Sequence, residues 1–269
     1  MFYLLDGDKE LRNRGLMFKG GSLSLFAISF ALNLLSGCAP EVSSKKYLKE
    51  CVLPQDQSGT LEGKWKVAPI PVALRQGDFS AAEAQAIQAA ATEWNAFSSA
   101  SLGSPILDIG PDGNPNQVAA SKPGSLCSSG ILFGAKYTGA VVIYKQRAWP
   151  YSNTSAIAIT SLCPMPAKPV SNFYMGAIEV NAQNFFVSGK RQPDLESILV
   201  HELGHLVGLR HSCETASFTG RPLCSSKSLP SEYSEAAMFP VFGFDSSGMG
   251  ERRRDLEKND QGRTNCLYQ

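Results

Sequence analysis

Residues 193–211 read Pro-Asp-Leu-Glu-Ser-Ile-Leu-Val-His-Glu-Leu-Gly-His-Leu-Val-Gly-Leu-Arg-His, and the three histidines of the chain, His201, His205 and His211, all fall in this run. Asp194 follows a proline as an N-cap candidate, and no breaker interrupts the next nine residues, so the spacing predicts a helix carrying the first two histidines. At i and i+4 they project from one face about 6 Å apart along the axis, so both imidazoles can reach one ion. Gly208 can end the helix in the left-handed conformation and return the chain so that His211 becomes a third ligand. Three protein ligands leave a fourth position for water, which is the layout of a catalytic zinc site; structural zinc is usually closed by four. Glu202 points elsewhere around the helix and is free to act as general base toward that water.

This segment resembles the metzincin metallopeptidases, whose long consensus H-E-x-x-H-x-x-G-x-x-H is matched at every fixed position. The resemblance continues at Ala236-Ala237-Met238-Phe239-Pro240, which looks like the Met-turn that packs beneath the metal without binding it. Pro240 stands where astacin-like members place a metal-binding tyrosine, which disfavours that branch. Ser212 after the third histidine and Phe239-Pro240 after the methionine are similar to the matrixin branch, and the stretch from Leu256 through Asp260 to Tyr268 resembles its closing helix. One departure is plain: Met238 lies 27 positions after His211, a much longer link than matrixins use, and the insertion contains Cys213 and Cys224. Phe239 to Phe242 are expected to wall the pocket beyond the scissile bond. Matrixins often hold a second, structural zinc through further histidines, and this chain has none left, so one catalytic Zn²⁺ is expected. Structural Ca²⁺ would use carboxylates and carbonyls, but no aspartate-rich loop of the calcium-hand kind is visible, and Asp108, Asp112 and Asn114 read as solvated turn residues.

At the other end, Arg12, Arg14 and Lys19 precede an apolar run from Leu23 to Leu35, short for a membrane span and suited to a signal-peptide core. It closes on Leu35-Ser36-Gly37-Cys38, which resembles a bacterial lipoprotein box. Residues 1–37 are therefore expected to be removed, Cys38 lipidated, and the protein exported and anchored in the bacterial envelope. Met17 would open a signal peptide of more usual length. Ala39 is not the aspartate that retains many lipoproteins at the inner membrane, so the outer membrane or cell surface is the expected place. Without residues 1–37, 21 basic and 21 acidic side chains remain, so there is no electrostatic footprint for nucleic acid; Arg252-Arg253-Arg254 reads as a solvated helix start.

Six cysteines besides Cys38 suit disulfides in an exported chain, and six allow fifteen connectivities. Loop logic favours Cys213 with Cys224, stapling the insertion, and Cys127 with Cys163, which leaves Cys51 with Cys266.

Residues 38–63 are polar and aperiodic and read as a tether, leaving 64–269 as one catalytic domain. Within it Ile70–Leu74 reads as a strand. Ser80-Ala81-Ala82-Glu83 is a capping box opening a helix to about Phe97, with Ile87, Ala91 and Trp94 inward. Short strands follow at Ile106–Ile109, Ala140–Tyr144, Ala156–Thr160 and Ala177–Val180. The expected fold is α+β: a metzincin-like, twisted mixed sheet of about five strands with a long helix, an active-site helix and a C-terminal helix. By that analogy Ala156–Thr160 is the sheet edge lining the cleft, where an extended peptide would add as one more strand. The whole implies a lipid-anchored, zinc-dependent endopeptidase acting on peptide or protein substrates; the alternative is a non-enzymatic surface lipoprotein that keeps the fold for binding.

Overall fold

A computed structural model describes residues 45–119, 122, 127, 141–165, 167–216 and 221–269. The apolar run, the box at Cys38 and the start at Met17 lie outside these. The centre of the fold is a sheet of seven strands: β1 (Gly63–Trp65), β2 (Ile70–Arg75), β3 (Leu107–Asp108), β4 (Gln117–Val118), β5 (Val141–Gln146), β6 (Ala158–Met165) and β7 (Ser171–Asn181). Their order is β1-β7-β5-β2-β3, with β4 paired to β2 and β6 to β7. Every pairing is parallel except β6 with β7. The sheet has two strands more than the expected five because β1 and β4 are three- and two-residue ladders too short to carry a period-2 pattern.

Alternation along β5 and β7 sorts side chains to two faces. Val141, Ile143, Ile178 and Val180 join the main core, whereas Val142, Tyr144 and Ala177 form a smaller cluster on the other face. Glu179 shares that second face. It is fully buried, and Lys122 Nζ and Tyr151 Oη at 2.5 Å and Gln146 Nε2 at 2.7 Å satisfy its carboxylate.

Two helices cover the main core. Helix α1 (Ala81–Leu102) opens on the Ser80/Glu83 capping box and runs one turn beyond Phe97, ending at Gly103 in the left-handed region. Ile87, Ala91 and Trp94 are buried on its inner face, and Trp94 Nε1 donates to the carbonyl of Val200 at 2.9 Å in helix α2 (Leu195–Val207). The short α3 (Ser231–Glu235) and the C-terminal α4 (Lys258–Tyr268) complete the fold.

Two expectations are corrected. Residues 47–63 are no tether but part of the folded unit. Gln57 and Thr60 are fully buried, a 3-10 turn spans Gln55–Thr60, Gly63 enters β1, and Asn265 Nδ2 donates to the carbonyls of Leu48 and Glu50 at 3.0 Å. Such contacts run through backbone and amide groups and leave no apolar period in the sequence. Arg252-Arg253-Arg254 do not start a helix. Arg253 donates to the carbonyls of Phe239 and Val241, and Arg254 clamps Asp194, whose carboxylate therefore makes no capping bond to α2.

Disulfides join Cys51 to Cys266, Cys127 to Cys163, and Cys213 to Cys224. The first closes a separation of 215 residues and fixes the start of the folded unit to α4. Non-reducing peptide mapping should return these three linked pairs. The Cys51→Ser/Cys266→Ser double variant should fold with its unfolding free energy lowered by about 2–4 kcal/mol, read from denaturant titration.

Candidate metal centre

Helix α2 is buried on nearly all sides, with Ile198, Leu199, Val200, Leu203 and Leu206 inaccessible to solvent. A helix so enclosed needs its last carbonyls satisfied by protein. Trp65 Nε1 takes that of Leu206 at 2.7 Å and Tyr268 Oη that of Val207 at 2.9 Å. Gly208 ends the helix at φ 113°, and a Cβ there would stand 1.9 Å from the carbonyl oxygen of Gly63. The chain then turns back, and residues 208–212 are pinned from two directions. Glu62 N donates to Gly208 O, Arg210 N to Thr60 O, and Gln57 Nε2 to Ser212 O at 2.8 Å. From α4, Arg263 donates to Arg210 O at 2.9 Å, while Asn259 holds Gln57 in place.

This brings the three histidines together. His201 Nε2 lies 3.1 Å from His205 Nε2, which lies 3.2 Å from His211 Nε2. The first of these is not a hydrogen bond. His201 Nδ1 donates to Ala237 O at 2.7 Å and His205 Nδ1 to Leu209 O at 2.8 Å, so in the neutral rings both Nε2 atoms carry lone pairs. The two separations are close to the edge of a tetrahedral zinc site with bonds of about 2.0–2.1 Å, and the ligand atoms of all three histidines lie within 4.8 Å of one another. Burial keeps the rings neutral: it drives His201 and His211 well below the usual imidazole range and pushes His205 down to about 3. Among the described residues this is the one cluster able to hold a metal ion.

Glu202 is 1% exposed and outside the triad. Burial raises its pKa above the ordinary carboxylate value, against the pull of Thr160, whose Oγ1 lies 2.6 Å from Oε2. Thr160 sits on β6, a strand that pairs with β7 on one side and with no other strand among the described residues. The edge strand runs to Met165, beyond the expected Thr160, across a register shift at Cys163/Pro164.

Met238 is fully buried against Gly204 of α2. A Cβ on Gly204 would stand 2.1 Å from its Sδ, so only glycine lets α2 and the turn meet this closely. The turn is held by Asp260 of α4, whose carboxylate accepts from Ala237 N at 2.8 Å and Met238 N at 3.1 Å. Sequence reading gave Asp260 no such role and passed over Gln57 and Arg263; a carboxylate three residues into a polar helix is the only trace Asp260 leaves. Phe242 is 4% exposed and joins the main core, its ring 5.8 Å from that of Phe244, so it contributes packing and not a cleft wall.

A cavity of about 410 Å³ opens beside His205 and His211, floored by Ile159 and Leu162 of β6. Its rim carries Arg210 with Glu62 at 3.7 Å and the ion pair Arg221–Glu214, both members of which belong to the loop stapled by Cys213–Cys224.

The matrixin family model matches residues 112–222, a span that includes Glu202 and all three histidines and stops short of Met238. Among solved structures, high choriolytic enzyme 1, a hatching-enzyme zinc-protease from Oryzias latipes (medaka fish), aligns at 14% identity over 78% of this chain and 95% of its own, with a TM-score of 0.35. No curated protein matches the chain. The matrixin match, with the triad inside it, supports a zinc metalloprotease acting on peptide or protein substrates.

Gly204→Ala should destabilise the protein by about 1–3 kcal/mol through overpacking against Met238 and weaken zinc retention. Thermal unfolding and metal content after dialysis read both, and the loss should shrink in a Met238→Ala background.

Proposed function

We propose that this matrixin-like zinc metalloprotease is an endopeptidase that cleaves extracytoplasmic proteins while anchored to the envelope by a lipid on Cys38. The observation that carries the catalytic part is the convergence of three neutral imidazole nitrogens, with a buried carboxylate next to them in the chain yet outside their set. His201, His205 and His211 would hold one zinc ion, whose chemistry when bound would be that of a Lewis acid able to polarise the scissile carbonyl and to lower the pKa of a water toward neutrality.

The chain's own groups do the rest. An extended peptide lies along the edge of β6 that pairs with no other strand among the described residues, and adds a strand to the sheet. Glu202 accepts the proton of the attacking water as the C–O bond forms, and delivers it to the amine nitrogen as the C–N bond breaks. Burial of the carboxyl suits both halves, because a raised pKa makes it a better proton acceptor and a group able to release that proton again. The backbone carbonyls of Ala237 and Leu209 fix the tautomers of His201 and His205 and so keep Nε2 available to the metal.

Anchoring rests on the apolar run at 23–35 followed by Leu35-Ser36-Gly37-Cys38, and on three disulfides, which persist in oxidising compartments. Ala39 favours the outer membrane or cell surface. Residues 39–46 would then be the spacer between lipid and enzyme, shorter than the composition suggested.

Glu202→Ala should keep its zinc and its fold and lose roughly 10²- to 10⁴-fold in hydrolysis of an unstructured protein substrate. Zinc content is measured beside the rate. A zinc-loaded wild type that cleaves nothing across a broad substrate set would return the reading to a binding lipoprotein. Separately, cells fed a fatty-acid analogue should label the wild type and leave Cys38→Ala unlabelled; equal labelling would remove the anchor.

A further inference from the structure

The hydroxyl of Thr160 has a place in the site that neither the zinc motif nor the Met-turn supplies. Thr160 comes from β6, 42 positions before Glu202, and its Oγ1 lies 2.6 Å from Glu202 Oε2 and 3.1 Å from the main-chain carbonyl of the same residue. Glu202 is 1% exposed, so the contact lies in a low-dielectric setting where a hydrogen bond to a charged group is strong. A hydroxyl has a single proton to donate, so the two acceptors are alternatives and not simultaneous partners.

Resting on the endopeptidase reading, we propose that Thr160 is the positioning residue of the general base, holding the Glu202 carboxylate through Oε2 so that Oε1 is the oxygen left to exchange the proton. Both contacts of the hydroxyl, to the carboxylate and to the main-chain carbonyl, fall on the same residue, so they tie the base and its backbone to β6. β-Branching makes threonine stiff at χ1, so the oxygen is held by the strand and does not follow the carboxylate. Because Thr160 also borders the cavity beside His205 and His211, a peptide added along β6 would pass directly over this contact.

Thr160→Val removes the oxygen at nearly constant shape, and Thr160→Ser keeps it. Zinc-loaded Thr160→Val should show kcat lower by roughly 10- to 100-fold with KM within about twofold, the size expected for a hydrogen bond to a charged group; Thr160→Ser should recover most of that loss. A general packing defect would not separate kcat from KM or be rescued by serine. A second readout needs no metal: in the zinc-free protein, Thr160→Val should lower the unfolding midpoint, and should not do so in a Glu202→Ala background. Equal kcat in Thr160→Val and an active wild type, or additive midpoints in the zinc-free cycle, would overturn the proposal while leaving the endopeptidase reading intact. An inactive zinc-loaded wild type would overturn both.

Discussion

The imidazole of His201 is aimed by a hydrogen bond to a carbonyl, and that carbonyl belongs to a turn that cannot stand alone. Ala237 O accepts from His201 Nδ1, and the amides of Ala237 and Met238 donate to Asp260. Asp260 is paired in turn with Arg263, whose guanidinium reaches the carbonyl of Arg210, next to His211. All these groups are buried, so each missing partner would leave a polar atom without solvent to replace it. Burial raises the carboxyl of Asp260, although Arg263 and three amides pull it down, and lowers the Arg263 guanidinium to about 10. The geometry of the metal centre is thus set by a polar chain that begins at His201 on α2, passes through Asp260 and Arg263 of α4, and returns to the backbone beside His211.

The same logic explains why the domain starts earlier than its composition suggests. The loop between Gly208 and Ser212 delivers the third histidine, and a loop is placed only as well as its backbone groups are bonded. Residues 57–63 on one side and α4 on the other supply those bonds, and the disulfide between Cys51 and Cys266 joins the two supports. A catalytic group held from two separate segments keeps its position when either one fluctuates.

What could be read from residues alone was whatever obeys a period or a spacing. The zinc helix, the Ser80 capping box and the inward face of α1 follow from 3.6-residue periodicity and cap chemistry, and Gly208 stands where only glycine fits. The hidden part consists of pairings between a polar side chain and a distant backbone. Gln57, Arg263 and Thr160 lie 155, 53 and 42 positions from their partners and in unremarkable local contexts. Strands β1 and β4 escaped for a related reason, since two or three residues do not make a pattern. Phe242 and Arg253 were misplaced because an aromatic or a cation reads alike at a surface and in the core when only its neighbours in sequence are known.

Two of the three tryptophans donate their indole N–H to main-chain carbonyls of α2, Trp94 to Val200 and Trp65 to Leu206. Trp149 instead bonds to Asn153, on a segment apart from α2. The intrinsic emission of this protein is therefore weighted toward one helix: the colour and intensity of its ultraviolet fluorescence report how the histidine-bearing segment sits in its socket, and the chain carries an optical gauge of its own active site without any added dye.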